Sequence, residues 1–502
     1  MSLAIVHSRA QVGIEAPAVT VEAHLANGLP SLALVGLPET AVKESKDRVR
    51  SAILNCAFDF PARRITLNLA PADLPKDGGR FDLAIALGIL AASGQIPAAA
   101  LDNLECLGEL ALSGAVRPIQ GVLPAALAAR AAGRTLVVPR ANAEEACLAS
   151  GLTVLAVEHL LELAAHLNGQ TPLPSYQPAG LLRIVRPYPD LAEVQGQSAA
   201  KRALIIAAAG AHNLLLSGPP GTGKTLLASR LPGLLPPLNE QEALEVAAIH
   251  SVASYAPLDA WPQRPFRHPH HSASGPALVG GGSRPQPGEI TLAHHGILFL
   301  DELPEFDRKV LEVLREPLES GEIVIARARD KVRFPARFQL VAAMNPCPCG
   351  YLGDPSGRCR CSGEQIQRYR SKLSGPLLDR IDLHLHVARE ATVLNAPPSS
   401  DTSAQAAATV AAARQQQIER QGCANAFLDL EQLRQHCALN PTDQAWLESA
   451  CERLGLSLRA AHRVLKVART LADLEALPVI SRAQLAEALQ YRPSTSATSA
   501  TS

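Results

Sequence analysis

Eight consecutive residues near the middle of the chain have the composition of a phosphate-binding loop. They follow the apolar run Leu214 to Leu216, which reads as a buried strand, and they precede a helical pattern. Glycine-rich backbone lets N–H groups close around phosphate oxygens, and the N-terminus of the following helix adds its dipole. We predict that this loop binds ATP, with Lys224 at the outer phosphates and the Thr225 hydroxyl as a ligand of Mg²⁺. The predicted loop comprises Gly218, Pro219, Pro220, Gly221, Thr222, Gly223, Lys224 and Thr225.

Two further apolar runs end in polar residues that suit phosphate chemistry. "ILFL" is followed by Asp301 and Glu302, and "FQLVAAM" is followed by Asn345. An acidic pair can simply cap a helix, but downstream of a phosphate-binding loop we interpret it as catalytic. Asp301 is predicted to hold Mg²⁺ through its water shell, and Glu302 to polarise the attacking water as a base. Asn345 is predicted to help place that water, with a turn-forming asparagine as the alternative.

Arginines downstream of these runs could complete an ATPase site. Arg380 lies in "LSGPLLDRIDLHLHV", and a ring-shaped ATPase needs a cation delivered to a neighbour's γ-phosphate. The alternative is an ion pair with Asp379 or Asp382 of the same chain. Arg459 and Arg463 lie one turn apart on a predicted helix. We predict that one of them contacts the nucleotide, and the alternative is that both form a solvated basic face.

Four cysteines are packed into "NPCPCGYLGDPSGRCRC", whereas the other six are scattered singly. Tetrahedral Zn²⁺ binds four thiolates well, and the turn-rich residues between the two pairs allow a short loop to fold around an ion. The spacing within each pair is tighter than the usual one, so disulfides and unliganded thiols remain as alternatives. The predicted zinc ligands are Cys347, Cys349, Cys359 and Cys361.

A basic segment lies between the acidic pair and Asn345 in a chain that has no net charge. As one extended strand it would place its cations on one face, and as a hairpin it would cluster them near the tip. Either arrangement makes a local phosphate-binding element for DNA, and a solvated face without function is the alternative. The predicted DNA-binding residues are Arg327, Arg329, Lys331 and Arg333.

A glycine- and proline-rich loop over residues 264–289 is a second candidate for contacting DNA. Its histidine-rich stretch "RHPHH" is a poor metal site, because two of its histidines are adjacent and no acid or cysteine lies close by. Aromatic residues are nearly absent from both basic segments, so backbone charge should dominate over base stacking. The cations available in this loop are Arg264, Arg267 and Arg284.

These residues require elements to position them, and the chain divides into an α/β part followed by a helical part. Strand-like runs alternate with Ala- and Leu-rich helices up to about residue 390, and two proline-rich stretches read as linkers. We predict an N-terminal α/β domain over 1–167, a linker over 168–180, an α/β ATPase core over 181–394, a linker over 395–405, a helical domain over 406–492 and a disordered tail over 493–502.

Composition narrows the classes of function. The 47 basic and 47 acidic residues cancel, which excludes a global attraction to nucleic acid or to membranes. Apolar runs are too short to cross a bilayer, the first residues lack the order of a signal peptide, and the scattered cysteines read as reduced thiols. The expectation is a cytoplasmic protein with no membrane partner.

At this point the chain resembles a known family. The phosphate-binding loop, "LFLDE", the strand-end asparagine, "LLDRID" and the helical "SLR" occur in the order found in AAA+ ATPases. "LVGLPETAVKESKDRVRSAI", "GGGSRPQPGEITLAHHGILFLDEL" and "NPCPCGYLGD" are similar to the competence-associated group of magnesium chelatase-like AAA+ proteins. "DLAEVQGQSAAKRAL" resembles the adenine-side segment, which implies that Val194 and Gly196 contact the base.

The resemblance implies a function as well as a fold. It implies a homo-hexameric ring with ATP at subunit interfaces, an arginine finger at Arg380 and, from the "SLR" match, a nucleotide contact by Arg459. It also implies a hairpin facing the central pore and an ATP-driven DNA helicase that promotes branch migration of single-stranded and branched DNA during natural transformation, with recombination proteins as further partners. The alternative is a magnesium chelatase-type motor subunit that acts on a partner protein.

The N-terminal region resembles the proteolytic (S5-like) domain of Lon, which uses a Ser–Lys dyad. Where Lon has G-P-S-A-G after its K-D, this chain reads Gly78-Gly79-Arg80-Phe81-Asp82, so Arg80 takes the place of the serine. Leu123 takes the place of the lysine. Neither replacement can do the chemistry, and we therefore predict a Lon-protease-like fold without peptidase activity.

Overall fold

The computed structural model describes most of the chain. The described residues are 2–36, 40–76, 78–178, 187–253, 261–282, 285–326, 331–354, 357–389 and 401–492. Several predicted features lie outside them: Arg284, Arg327, Arg329, parts of both linkers (179–180 and 395–400) and the tail over 493–502.

The N-terminal domain is a mixed seven-stranded sheet in the order β3-β4-β2-β1-β5-β8-β9. Its two central antiparallel pairs, β1–β2 and β2–β4, alternate buried and accessible residues, as expected for a sheet with one covered face. The strands are β1 Ser2–Arg9, β2 Ala18–Ala26, β3 Ser31–Val35, β4 Arg64–Ala70, β5 Leu104–Cys106, β6 Glu109–Leu110, β7 Val116–Arg117, β8 Thr135–Pro139 and β9 Val154–Val157.

The helix α2 is the centre of this domain, because it is buried on every side. Its sequence DLAIALGILAA is apolar all round, which is the pattern of a core helix rather than an amphipathic one. Its single charged residue, Asp82, accepts a bond from Arg48 Nε at 2.8 Å. The helices are α1 Thr40–Asn55, α2 Asp82–Ala92, α3 Val122–Ala131, α4 Ala143–Ala146 and α5 Leu160–Leu167.

The two positions compared with the Lon dyad are structural in this chain. Arg80 is buried, and its Nη2 donates to Gln11 Oε1 at 3.1 Å and to the carbonyl of Gln120. Leu123 is fully buried in an apolar cluster. Neither side chain offers a nucleophile or its activating amine.

The second domain is built on a parallel five-stranded sheet in the order β11-β14-β17-β10-β18. Its central strands are buried along their whole length, as parallel strands covered by helices on both faces must be. The strands are β10 Leu214–Ser217, β11 Phe266–Arg267, β12 Gly280–Gly281, β13 Gln286–Pro287, β14 Ile297–Leu300, β15 Glu322–Ala326, β16 Lys331–Pro335, β17 Gln339–Met344 and β18 Leu383–His386. The helices are α6 Ser198–Gly210, α7 Lys224–Ala228, α8 Glu240–Ala253, α9 Gly275–Val279, α10 Glu289–Leu292, α11 Arg308–Val313, α12 Pro317–Ser320, α13 Gly363–Arg370 and α14 Gly375–Leu378.

A helical domain follows and shares its core with the ATPase sheet. Val464, Val467 and Leu471 of α18 are buried in the same apolar cluster as Leu214 and Leu216 of β10. The first helix begins at Ser403, inside the segment predicted as a linker, because Thr402 and Gln405 form a capping box there. The helices are α15 Ser403–Gln421, α16 Leu430–His436, α17 Pro441–Leu454, α18 Leu458–Leu474 and α19 Arg482–Gln490. Among the described helices, none is both long and apolar enough to cross a membrane.

The N-terminal domain packs directly on the ATPase core. Leu244 and Ala247 of α8 are buried in one apolar cluster with residues of α3. The backbone adds polar contacts, since Gly121 N–H donates to the carbonyl of Ser251 at 2.9 Å and Leu123 N–H to its hydroxyl at 3.2 Å. The contact joins α3, at the position compared with the Lon lysine, to the C-terminal part of α8.

Candidate functional site

The predicted nucleotide residues meet at one edge of the parallel sheet. Ser217 of β10 pairs with Met344 of β17, and Leu300 of β14 pairs with Ala342 of β17, so three neighbouring strands end together. The phosphate-binding loop, the acidic pair and Asn345 each follow one of these ends. Ligands of open α/β sheets bind in the crevice at the carboxyl ends of the strands.

Lys224 is buried in the phosphate-binding loop and bonded to it. Its Nζ donates to the carbonyls of Gly218 at 2.7 Å and Pro219 at 2.9 Å, and to Asn345 Oδ1 at 3.3 Å. Burial lowers the pKa of this ammonium group, while the nearby carboxylates of Asp301 and Glu302 raise it. A buried ammonium held only by neutral oxygens is suited to receive an anion, which fits the outer phosphates of ATP.

The predicted magnesium ligands already touch each other. The Thr225 hydroxyl donates to Asp301 Oδ2 at 2.6 Å, across the gap between the loop and β14. Glu302 N–H donates to the other oxygen, Oδ1, at 2.9 Å. A hydroxyl and a carboxylate oxygen are hard ligands of the kind Mg²⁺ takes, so this pair fits the ion that accompanies ATP.

Glu302 is placed differently from Asp301. Its backbone is left-handed at φ 53°, an unusual conformation for a glutamate, and its side chain is 52% exposed. One oxygen, Oε2, lies 3.2 Å from His271 Nδ1. The two carboxylates therefore have separate partners, Asp301 on the phosphate-loop side and Glu302 on a histidine.

Arg380 is paired within its own chain, with a partner that the sequence pattern did not indicate. Its Nη2 lies 2.6 Å from Glu319 Oε1, and its Nη1 donates to the carbonyl of Pro376 at 2.7 Å. The guanidinium is largely buried, at 9% exposed. Neither Asp379 nor Asp382, the two acids considered from sequence, is its ion-pair partner among the described residues, and Asp382 is committed elsewhere.

Asp382 pairs with Arg463 instead, at 2.5 Å. Burial alone would raise the pKa of Asp382, but His212 and Arg463 hold it well below its usual range. Arg463 therefore joins the helical domain to β18, whereas Arg459, one turn earlier on α18, is exposed. Of the two, Arg459 is the one whose guanidinium is not committed to Asp382.

The segment compared with the adenine side lies against the helical domain. Val194 is buried at 2% exposed, and Gly196 has φ 58°, a left-handed turn before α6. Asp190 Oδ1 accepts from Ser403 N–H at 2.9 Å, and the Ser403 hydroxyl accepts from Leu191 N–H at 2.7 Å. This segment is thus bonded to the first residue of α15.

The four clustered cysteines come together in space. Cys347 Sγ lies 3.4 Å from Cys349 Sγ and 3.8 Å from Cys359 Sγ, and Cys349 Sγ lies 3.7 Å from Cys359 Sγ. The four sulfurs, including that of Cys361, all lie within 4.8 Å of one another. Thiolates around tetrahedral Zn²⁺ at about 2.3 Å are separated by about 3.8 Å, so these donors have the type and spacing that the ion needs.

The cysteine loop abuts the phosphate-binding loop. Gly350 has φ 85°, and a Cβ there would lie 2.7 Å from Pro220 Cδ and 3.7 Å from Asn345 Cγ. Only glycine fits this approach, since an added carbon would collide with the proline ring. The cluster therefore stands beside the nucleotide site.

The basic segment is a hairpin rather than one extended strand. Strands β15 and β16 pair antiparallel, with Ala326 opposite Lys331 and Val324 opposite Arg333. Along β16, Lys331 and Arg333 are exposed while Val332 and Phe334 are buried, so both cations lie on one face. Arg327 and Arg329 lie outside the described residues.

The second basic loop uses its described arginines internally. Arg267 pairs with Glu289 through two bonds of 2.6 and 2.7 Å. Arg264 donates to the carbonyls of Pro236 and His295 at 2.7 and 2.6 Å. These arginines hold the loop against α10 and against the backbone before α8 and before β14, which removes them as phosphate contacts.

Glu245, His294 and His295 form a second cluster of metal-binding residue types, which no sequence pattern revealed because the residues lie far apart in the chain. His294 Nδ1 accepts from Arg337 N–H at 3.0 Å, so its Nε2 carries the hydrogen and donates to Glu245 Oε2 at 3.2 Å. A protonated Nε2 has no lone pair for a metal. The cluster is a hydrogen-bonded tie between α8 and the turn before β14.

The fold and the site together define a class. A parallel sheet of this order, a phosphate-binding loop, acidic residues and an asparagine at adjacent strand ends and an attached helical domain are the parts of an AAA+ P-loop ATPase. Three family descriptions match successive parts of the chain. "Subunit ChlI of Mg-chelatase" matches residues 21–142, "Magnesium chelatase, subunit ChlI" 190–394 and "Magnesium chelatase, subunit ChlI C-terminal" 400–492.

Similar proteins extend over the whole chain. Competence protein ComM of Haemophilus influenzae is 54% identical over 500 residues, and YifB of Escherichia coli is 52% identical over 502, each covering 98% of this chain and 98% or 97% of its own. The 38 kDa magnesium-chelatase subunit of Cereibacter sphaeroides is 28% identical over 179 residues, 32% of this chain and 53% of its own. The chain therefore belongs to the magnesium chelatase-like family of AAA+ ATPases, in the group of ComM and YifB.

Proposed function

We propose that this chain is an ATP-driven DNA helicase that works in the cytoplasm as a homo-hexameric ring. It would move along single-stranded DNA and promote branch migration of branched DNA during natural transformation and recombination, alongside other recombination proteins. Its full-length similarity to a protein named for competence supports this role. ATP hydrolysis, the activity of the family to which it belongs, would supply the energy.

The observation that carries the DNA assignment is the hairpin β15–β16. It lies in the chain between the strand that ends before Asp301 and the strand that ends before Asn345, and it exposes Lys331 and Arg333 on one face. Six copies in a ring would make a collar of positive charge in a protein with no net charge. A collar that contacts phosphates without aromatic stacking would bind DNA with little sequence preference.

The ATP chemistry can be assigned to the residues at the sheet edge. Lys224 would exchange its carbonyl partners for phosphate oxygens, and the loop from Gly218 to Thr225 would cradle the remaining phosphates. Thr225 and Asp301 would hold Mg²⁺, which neutralises charge on the phosphates. Glu302 would take a proton from the attacking water, and Asn345 would place that water. Val194 and Gly196 would contact the base, while Arg380 and Arg459 would act at subunit interfaces.

Strand displacement from a labelled three-stranded DNA junction tests the proposal, with ATP and Mg²⁺ present. Wild type should release the strand, and Glu302→Gln should bind the junction without releasing it. Lys331→Ala with Arg333→Ala should weaken DNA binding and flatten its salt dependence by about one unit of log–log slope for each phosphate that is no longer neutralised. Arg308→Ala, which removes an exposed cation on α11, is the matched control.

A magnesium chelatase-type motor is the second candidate, favoured by the similarity of the core to 38 kDa magnesium-chelatase subunits. Such a motor acts through a partner protein and has no need of DNA. ATP turnover that is unaffected by DNA, together with no strand displacement, would favour this motor over the helicase. Stimulation of turnover by junction DNA would exclude it.

We also propose that Cys347, Cys349, Cys359 and Cys361 bind a structural Zn²⁺. Their sulfur separations suit a tetrahedral ion, and Gly350 places their loop against Pro220. The ion would fix the geometry of the turn that follows Asn345 and so support the nucleotide site.

Metal analysis tests the zinc proposal. Purified protein should hold one zinc per chain, and Cys359→Ser with Cys361→Ser should lose it and lose ATP turnover as the loop loosens beside Pro220. Cys451→Ser, a single cysteine in α17, should keep both. Loss of zinc with normal turnover would show that the ion does not support the nucleotide site.

A further inference from the structure

His271 is the residue in contact with the proposed base. Its Nδ1 lies 3.2 Å from Glu302 Oε2. The distance brings an imidazole nitrogen, which can donate a hydrogen, to a carboxylate oxygen, which can accept one. One oxygen of Glu302 is thereby occupied, and the other, Oε1, is left for water.

The histidine is held in place by its own segment. His268, three residues earlier, packs its ring against Phe299 of β14 at 4.7 Å between centroids. The rings of His270 and His271 lie 4.1 Å apart, and His270 Nδ1 bonds the Ser272 hydroxyl at 2.8 Å. The segment between β11 and α9 is thus fastened to the strand that delivers Glu302.

Among the residues that the structure describes, no other side chain anchors the Glu302 carboxylate. This carboxylate is half exposed and stands on three rotatable bonds, so it would sample many positions in water. A base must lie within hydrogen-bond reach of the proton it takes. The contact with His271 is what restricts the carboxylate to one position.

We infer that His271 is a positioning residue for ATP hydrolysis, which aims the Glu302 carboxylate at the attacking water. The inference rests on the proposed role of Glu302 as the base. It places a functional residue in the histidine-rich loop, whose arginines are committed to Glu289 and to backbone carbonyls. It also gives Asp301 and Glu302 separate duties, since each carboxylate has its own partner.

Steady-state ATPase kinetics on the full chain test the inference. His271→Ala should lower kcat by ~10-fold to ~100-fold, the range expected when a reacting group is misplaced by about 1 Å. The KM for ATP should stay within about threefold of wild type, because the phosphate loop is untouched. His271→Asn, whose amide nitrogen occupies the place of Nδ1, should recover much of the rate, and His271→Gln, whose nitrogen reaches past it, should not.

A double-variant comparison separates positioning from a general loss of structure. If His271 acts only through Glu302, adding His271→Ala to Glu302→Gln should cause no further loss of kcat. An equal fractional loss in both backgrounds would overturn the inference, as would a His271→Ala protein with wild-type or faster turnover. Should the alanine variant fail to fold, the Asn and Gln variants decide in its place, and equal rates for the two would overturn it.

The two proposals fail in different ways. If Glu302→Gln keeps full turnover, the role of Glu302 as the base is wrong and the inference falls with it. If Glu302→Gln is inactive while every His271 variant turns over normally, the base assignment stands and the inference alone is wrong.

Discussion

At the scale of single residues, the nucleotide site is defined by what its charged groups touch. The Lys224 ammonium is bonded to two loop carbonyls and to Asn345, whereas the Glu302 carboxylate lies 3.2 Å from a histidine outside the loop. These partners separate the group proposed to bind phosphate, Lys224, from the group proposed to act on water, Glu302. Replacing each group should therefore produce a different defect.

Lys224→Ala should weaken ATP binding by at least ~10-fold, since a charge-assisted bond contributes about 1.5–3 kcal/mol. Glu302→Gln should bind ATP normally and lower kcat by ~100-fold or more, because only proton transfer is lost. Titration with a fluorescent ATP analogue and steady-state turnover measure the two effects. Normal ATP affinity in Lys224→Ala would contradict the assignment of this lysine.

Histidine burial sets a pH dependence of stability. Burial lowers the pKa of His294 to about 4, from 6.5 in the unfolded chain. As pH falls below 6.5 the unfolded chain takes up a proton that the folded chain refuses, so the free energy of unfolding falls until about pH 4. At pH 5 the loss from this group is roughly 2 kcal/mol relative to pH 7.

Denaturant unfolding at pH 7 and pH 5 checks this dependence. His294→Asn retains an acceptor for Arg337 N–H and should lose less stability between these two pH values than wild type does. The neighbouring Glu245 acts at lower pH: burial alone would raise its pKa, but hydrogen bonds from Gln241, His295 and His294 hold it at about 2. Its contribution is present above about pH 4.5 and is lost as pH falls towards 2, so it does not confound the comparison.

At the scale of elements, Arg380 is tied to the short helix that leads into the basic hairpin. Glu319 lies near the end of α12, and β15, the first strand of the hairpin, begins three residues later at Glu322. If Arg380 reaches the ATP of a neighbouring subunit, it must first break its ion pair with Glu319. The loss of this ion pair would link contacts between subunits to the hairpin. An arginine with a structural role only would keep the pair in the assembled protein.

The two roles of Arg380 predict opposite results for substitution of Glu319. If Arg380 is a finger, Arg380→Ala should lower ATP turnover by ~10³-fold or more, while Glu319→Gln should keep turnover near wild type. If the pair is structural, both variants should lose turnover and melt at similarly lower temperatures. Turnover and thermal melting of the two purified variants, compared with wild type, distinguish these outcomes.

At the scale of the whole molecule, the N-terminal domain and the ATPase core share a buried face. Ala247 of α8 is fully buried against α3, and Ser251 bonds the backbone of Gly121 and Leu123. This face couples the N-terminal domain to α8 of the ATPase core.

Ala247→Glu should separate the two domains while leaving each folded. An unpaired buried carboxylate costs several kcal/mol, and separation of the two domains would return it to water. Limited proteolysis should then cleave between the domains faster than in wild type, and Glu240→Ala, exposed on the same helix, should not change the pattern. Unchanged protection in Ala247→Glu would show that this face does not hold the domains together.

The phosphate loop, the acidic pair, Asn345 and the four cysteines could be predicted from the sequence because each is a local pattern with its own chemistry. A glycine-rich turn between strand and helix, or four thiols in one short stretch, indicates the same chemistry in any fold. The fold class followed from the same patterns, and the family matches confirm it.

The tertiary structure decided everything that depends on distant partners. The packing of separate elements pairs Arg380 with Glu319 and places His271 beside Glu302. It also decides that Arg463, rather than Arg459, pairs with Asp382. It also resolved the basic segment into a hairpin and withdrew Arg264 and Arg267 from the candidate DNA surface. A charged side chain binds whatever oppositely charged or polar group the fold brings near it, and no spacing along the chain encodes which group that will be.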